Sequence, residues 1–118
     1  MQRAAIQGIE GSFHHAAARD YLGSEVEICP CISFSELIQQ VEQGRADVGV
    51  MAVENTIAGS LLPNYRLIVK TPLHIVGEIY AHIRQNLMAL PGQGLADIQT
   101  VHSHPIALEQ CRACLLYT

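Results

Sequence analysis

The feature that most constrains this chain is a repeated order of short apolar runs and helix-spaced segments, each junction marked by glycine or a capping residue. Residues 3–7 are short and apolar, and Gly8 and Gly11 bracket a turn before Ser12, which can cap a helix from Phe13 to about Leu22. A second apolar run, residues 26–32, leads into Ser33-x-x-Glu36, a capping-box pattern ahead of Leu37, Ile38 and Val41, with Gly44 placed to end the helix. Residues 47–53 then form a continuous apolar run, the pattern of a strand buried on both faces. Strands alternating with helices imply a parallel sheet with helices outside it, so the expected class is α/β.

Beyond residue 53 the polar loop Glu54-Asn55-Thr56 precedes an expected helix carrying Tyr65, Leu67 and Ile68. Residues 73–80 and 81–90 are long and apolar with no helix between them, which suggests two extended segments leaving the first layer for a second lobe. Pro91-Gly92-Gln93-Gly94 closes them with a turn. Residues 100–103 read as a short strand, and Pro105 stands at the first position of a helix bearing Ile106, Leu108, Cys111 and Leu115. The division expected is a first lobe over residues 1–72 and a crossover with a partial second lobe over residues 73–118.

Composition narrows the partners. At 118 residues, 49% of them hydrophobic and 15% charged, the chain can bury one core. A net charge of -4, with seven scattered Lys and Arg, supplies neither a basic stripe for nucleic acid nor a polybasic membrane anchor. The most apolar stretch, residues 61–83, is interrupted by Pro63, Arg66, Lys70, Pro72 and Glu78, too often for a membrane span, and the start does not read as a signal peptide. The expectation is a cytoplasmic protein. Cys29 and Cys31 would share one face of a strand, and Cys111 and Cys114 one face of a helix, so buried thiols explain both pairs better than zinc does.

Three loops follow expected strands and open toward helices: residues 8–12, 54–60 and 103–105. That edge of an open α/β sheet binds ligands, and helix N-termini can hold a carboxylate through unpaired N–H groups. Ser12 and Ser103 are therefore either anion contacts or simple caps. Glu54 and Asn55, a carboxylate and an amide just after a buried strand, call for a partner or a ligand: Asn55 can donate to an oxyanion, and Glu54 can orient it, hold a proton or pair with a neighbouring N–H. Gln110 lies two turns after Ser103 and can reach the same side, while His104 is expected to orient the turn. His14 and His15 are expected at the surface, and His74, His82 and His102 in strands.

The order and spacing of Gly8, Gly11, Ser12 and Phe13, then Glu54, Asn55 and Thr56, then Gly77 and Glu78, then Ser103, His104, Pro105 and Ala107, then Gln110 and Cys111, resemble those of prephenate dehydratases. The resemblance implies a fold similar to type II periplasmic binding proteins, two α/β lobes around a cleft, with the second lobe incomplete here. It implies conversion of prephenate to phenylpyruvate with loss of carbon dioxide and water, with no metal and no organic cofactor. By the motif match, Ser12, Asn55, Thr56, Ser103 and Gln110 would bind or orient this small-molecule substrate, and Glu54 and Asn55 would serve catalysis.

Departures from the family pattern accompany the match. Thr56 stands for a usual Ser, Ile106 for a usual Gln, and Gln85-Asn86-Leu87 for a common His-Asn-Leu. The family's Thr-Arg-Phe motif, whose Thr is regarded as its catalytic group, occurs nowhere in these residues, so the chain reads as a truncated dehydratase with little or no turnover alone. Exposed apolar surface and sheet edges make a homo-oligomer the expected state. A second class remains open: an anion-binding module of the type II solute-binding fold without catalysis. A zinc-binding structural protein ranks third.

Overall fold

The computed structural model describes residues 2–55 and 59–117 and divides the chain into two compact units, residues 1–82 and 83–118. The first unit is built on a three-stranded parallel sheet of β1 (Arg3–Gln7), β2 (Glu27–Cys31) and β3 (Val48–Val50), in the order β2-β1-β3. Helices α1 (Phe13–Leu22) and α2 (Phe34–Glu42) make the two crossovers. The α/β class expected from the sequence is the one observed.

β1 is the middle strand, and its period of two assigns a face to each helix. Ala4 and Ile6 pack with Ala18 of α1, and Leu22, Val26, Ile28, Val48 and Val50 close around them. Ala5 points the other way, into a cluster of Cys31, Leu37, Ile38 and Ala46 on the α2 side. The three interior side chains of β1, Ala4, Ala5 and Ile6, are fully buried, and the polar residues Arg3 and Gln7 stand only at its ends.

The local signals act as read. Ser12 caps α1 by accepting from the His15 amide at 3.2 Å, and Ser33 caps α2 by accepting from the Glu36 amide at 3.1 Å. The return half of the Ser33–Glu36 box is displaced by one residue, because the Glu36 carboxylate accepts from the Ile32 amide at 2.8 Å. At the other end of α2, Gly44 takes φ of 73°, its amide bonds the Val41 carbonyl, and the Arg45 amide bonds the Gln40 carbonyl. That is a Schellman ending, which needs the left-handed conformation glycine adopts without a steric penalty.

β3 differs from its expected form. It is three residues long, pairs with β1, and carries half-buried Val48 and Val50 around an exposed Gly49. The apolar run over residues 47–53 does not become a strand buried on both faces, because its last three residues leave the sheet toward a short antiparallel pair of two-residue strands, β4 (Glu54–Asn55) and β5 (Gly59–Ser60). Helix α3 (Leu62–Val69) follows, as expected around Tyr65, and packs through Leu67 on the α2 side of the sheet.

Residues 73–90 carry no strand among the described residues. Leu73 is half-buried against the α2-side cluster, but most of the other apolar side chains are exposed, with Val76 79%, Tyr80 90% and Met88 86% exposed. The sequence reading of His74, His82 and His102 as strand residues does not hold, and residues 100–103 are likewise without strand structure. The second unit contains the Leu90–Gln93 turn, a 3-10 turn at Leu95–Asp97, and helices α4 (Pro105–Gln110) and α5 (Arg112–Tyr117). One continuous helix was expected there; it is broken at Cys111, whose amide still bonds the Ala107 carbonyl as the end of α4.

Candidate functional site

Strand order locates the candidate site in the first unit. The chain leaves β1 toward α1 on one face, and leaves β3 toward α3 on the other, while β1 and β3 are hydrogen-bonded neighbours. Their carboxyl ends therefore flank a point where successive connections diverge, the place where open α/β sheets leave a crevice for ligands. The loop of residues 8–12 and the segment 51–55 both begin at that edge.

The first loop is tightly made. The Gly8 amide donates to the Cys31 carbonyl at 2.9 Å, tying the loop to the end of β2. Gly8 has φ of 114°, and a Cβ there would lie 3.2 Å from both Cβ and Oγ of Ser12. Glycine thus lets the Ser12 hydroxyl fold back over the start of α1. The Gly11 amide donates to His15 Nδ1 at 2.9 Å, so His15 is engaged in the loop and is not a simple surface residue. The α1 terminus keeps the partial positive charge of its first-turn amides, which favours an anion.

His14 also departs from expectation. Its ring meets Phe34 edge-on at 5.5 Å, its Nε2 is buried without a hydrogen-bond partner, and burial holds its pKa below the ordinary value. Helical spacing alone could not reveal this, because the covering residue comes from α2.

At the second segment, Glu54 Oε1 accepts from the Tyr65 hydroxyl at 3.0 Å and from the Ser60 hydroxyl at 3.4 Å. The pair raises the Tyr65 pKa, chiefly through the hydrogen bond to Glu54, then through partial desolvation and the carboxylate charge. Buried Asn64 donates from Nδ2 to the Ala52 carbonyl at 2.6 Å, and the Leu61 amide donates to the Val53 carbonyl at 2.8 Å. Tyr65, Ser60 and Asn64 were not singled out from the sequence for this role; the spacing of eleven residues between Glu54 and Tyr65 carries no periodic signal. Asn55 pairs with Gly59 in the hairpin, and Thr56 lies outside the described residues.

In the second unit Ser103 is exposed and does not cap α4. The cap is His104, whose Nδ1 accepts from the Ile106 amide at 3.1 Å, in keeping with its expected role of orienting the turn. Gln110 Oε1 accepts from Gln85 Nε2 at 3.3 Å, so the residue at the usual His position and the glutamine at the end of α4 are joined. A hollow of about 380 Å³ in this unit is lined by Leu87, Leu95, Ile98, Val101 and Leu108, with Gln99, a set that offers an anion little. Gly77 lies directly against the Tyr21 phenol of α1, in the first unit.

Cys29 and Cys31 do share a face, packed in the α2-side cluster, and burial is the main cause that pushes the Cys31 thiol up to about 11. Such a thiol is a poor metal ligand at neutral pH. Among the described residues, no group of three or more His, Cys, Asp and Glu is placed to hold a metal ion, and no helix is long and apolar enough to cross a membrane.

A model of the prephenate dehydratase family matches residues 4–118. The chain belongs to that family. It is 42% identical over 113 residues to a bifunctional chorismate mutase/prephenate dehydratase of Enterobacter agglomerans, and the match covers 92% of the chain and 29% of that relative. It is 38% identical over 112 residues to the bifunctional chorismate mutase/prephenate dehydratase of Escherichia coli, again covering 92% of the chain and 29% of the relative. An Arabidopsis thaliana protein named arogenate dehydratase/prephenate dehydratase 2, chloroplastic, is 37% identical over 113 residues, 96% of the chain and 29% of the relative. The chain thus spans less than a third of the length of these relatives, and the match includes both loops at the carboxyl edge of the sheet.

Proposed function

We propose that this chain carries binding and catalytic residues of a prephenate dehydratase and that residues 1–118 alone have little or no turnover. The observation that carries the reading is the strand order, which starts the Gly8–Ser12 loop and the segment bearing Glu54 and Asn55 from neighbouring strand ends at the reversal point. Ser12, Asn55 and Thr56 of the first unit, and Ser103 and Gln110 of the second, are the substrate-binding residues by motif match. Glu54 and Asn55 are the catalytic pair.

The chemistry asks little of the protein beyond positioning. Prephenate is a dianion; its ring carboxylate leaves as carbon dioxide, the bonding pair enters the ring, and the hydroxyl across the ring takes a proton and leaves as water. The α1 N-terminus suits one carboxylate. Glu54, with two hydroxyls donating to Oε1, is suited as a carboxylate to accept from the substrate hydroxyl and to orient it for departure. The family's Thr of the Thr-Arg-Phe motif would act on the leaving hydroxyl, and that motif does not occur in these residues. The proposed architecture is of the type II periplasmic-binding-protein kind, with a first lobe over residues 1–72. The reading also takes the protein to be cytoplasmic and homo-oligomeric, the latter supported by the apolar side chains exposed along residues 73–90.

The test is a phenylpyruvate-forming assay on residues 1–118 beside a form extended in its reading frame through the next Thr-Arg-Phe. Arogenate, named for the plant relatives, is assayed in parallel. Turnover in the extended form alone supports the reading, and turnover in both forms refutes the assignment of the absent Thr. Saturable prephenate binding with no turnover in either form favours an anion-binding module.

A further inference from the structure

We propose that Tyr65 is a positioning residue that aims the Glu54 carboxylate at the ligand, with Ser60 as its second support. The proposal deepens the dehydratase reading and rests on it, since it takes Glu54 as a group that touches substrate.

Glu54 is exposed and stands on a two-residue strand, so by itself its side chain would sample several rotamers. Two hydroxyls remove that freedom by converging on the same oxygen: Tyr65 at 3.0 Å and Ser60 at 3.4 Å. Ser60 is held by the register of the hairpin, in which it lies opposite Glu54. Tyr65 is held by α3, whose first turn is tied to the backbone just before Glu54 through the Asn64 side chain on the Ala52 carbonyl and the Leu61 amide on the Val53 carbonyl. Asn64 and Tyr65 therefore divide the task. Asn64, 4% exposed, fixes the backbone, and its neighbour in the same turn fixes the carboxylate. A carboxylate oxygen held in this way keeps acceptor capacity for a substrate hydroxyl.

The experiment measures prephenate binding to the 118-residue chain by NMR titration for the parent, Tyr65→Phe, Glu54→Gln and the double variant. Tyr65→Phe removes one oxygen and keeps the ring. The expected result is binding weakened about 2- to 10-fold by Tyr65→Phe, the range of one hydrogen bond, with no further loss when Tyr65→Phe is added to Glu54→Gln. The spectroscopic control is the 13Cζ resonance of Tyr65, identified by its absence in Tyr65→Phe. In Glu54→Gln this phenol should begin to ionise at lower pH than in the parent, which reports that the two groups are in contact in solution, while the non-additive binding loss reports that the contact serves the ligand. Equal binding by the parent and Tyr65→Phe, additive losses in the double variant, or an unmoved Tyr65 titration overturns this proposal alone. Failure of the parent to bind prephenate overturns the placing of substrate contacts, Glu54 among them, in residues 1–118, and this proposal with it, while turnover by the extended form tests the dehydratase reading separately.

Discussion

Gly49→Ala tests the packing that brings α2 close to the sheet. Gly49 pairs with Ala5 across the β1–β3 ladder, and a Cβ added to it would lie 2.6 Å from Leu37 Cδ2 and 3.4 Å from Val41 Cγ2. Ordinary carbon contacts lie at about 3.5–4.0 Å, so the helix or the leucine must retreat by roughly 1 Å. Leu37 is 1% exposed and enclosed by Ala5, Cys31, Ile38 and Ala46, which leaves it no open side to turn into. Overpacking of this kind costs about 1–3 kcal/mol, a large part of a stability that is about 5–15 kcal/mol for a domain. Leu37→Ala alone should cost about 2–5 kcal/mol through its cavity. In the double variant the new methyl enters part of that cavity, so the combined loss should fall short of the sum by about 1 kcal/mol or more. Urea unfolding followed by far-UV circular dichroism on all four proteins gives the cycle. Additivity within about 0.5 kcal/mol, the behaviour of independent sites, would refute the argument that Gly49 exists to admit Leu37.

Other outcomes follow from groups already described. Ser33→Ala should lower stability by about 1 kcal/mol through loss of the α2 cap, measured by the same unfolding assay. His14 has a folded-state pKa below its unfolded value, so stability is full above about 6.5 and declines as pH falls from there through the folded pKa. Unfolding at pH 7.5 and pH 5 should show that decline reduced in His14→Gln; an unchanged slope would mean that other groups carry it. The Cys31 thiol, pushed up to about 11 mainly by burial, should resist iodoacetamide at pH 8 in the folded protein and react once urea unfolds it, read by mass spectrometry.

What was legible in the sequence is the part whose cause is local. Ser12, Ser33 and Gly44 act within one turn of themselves, and each helix boundary near them falls where those residues put it. The alternation of Ala4, Ala5 and Ile6 between two helices likewise follows from strand geometry alone. The parts that differ depend on residues far away in sequence. An apolar run such as residues 73–90 signals extended backbone, yet it becomes strand only where another strand offers its edge. His14 is half-buried because Phe34 crosses it, and Glu54 is held by Tyr65 on a later helix; neither fact has a spacing rule. At the candidate site, the order of residues along the chain supplies the motif candidates, while the two hydroxyls that meet Glu54 carry no such signal.

The central place of β1 also sets a timetable for folding. Its Arg3 amide bonds the Asp47 carboxylate across 44 residues of sequence, and the same region must accept β2 on its other edge. A loop of that length is entropically costly to close, and contacts of such range slow folding relative to local turns. Although it precedes its two partners in the chain, β1 is therefore among the last strands of this sheet to be completed: it must wait, with Ala4, Ala5 and Ile6 unburied, until both later strands arrive.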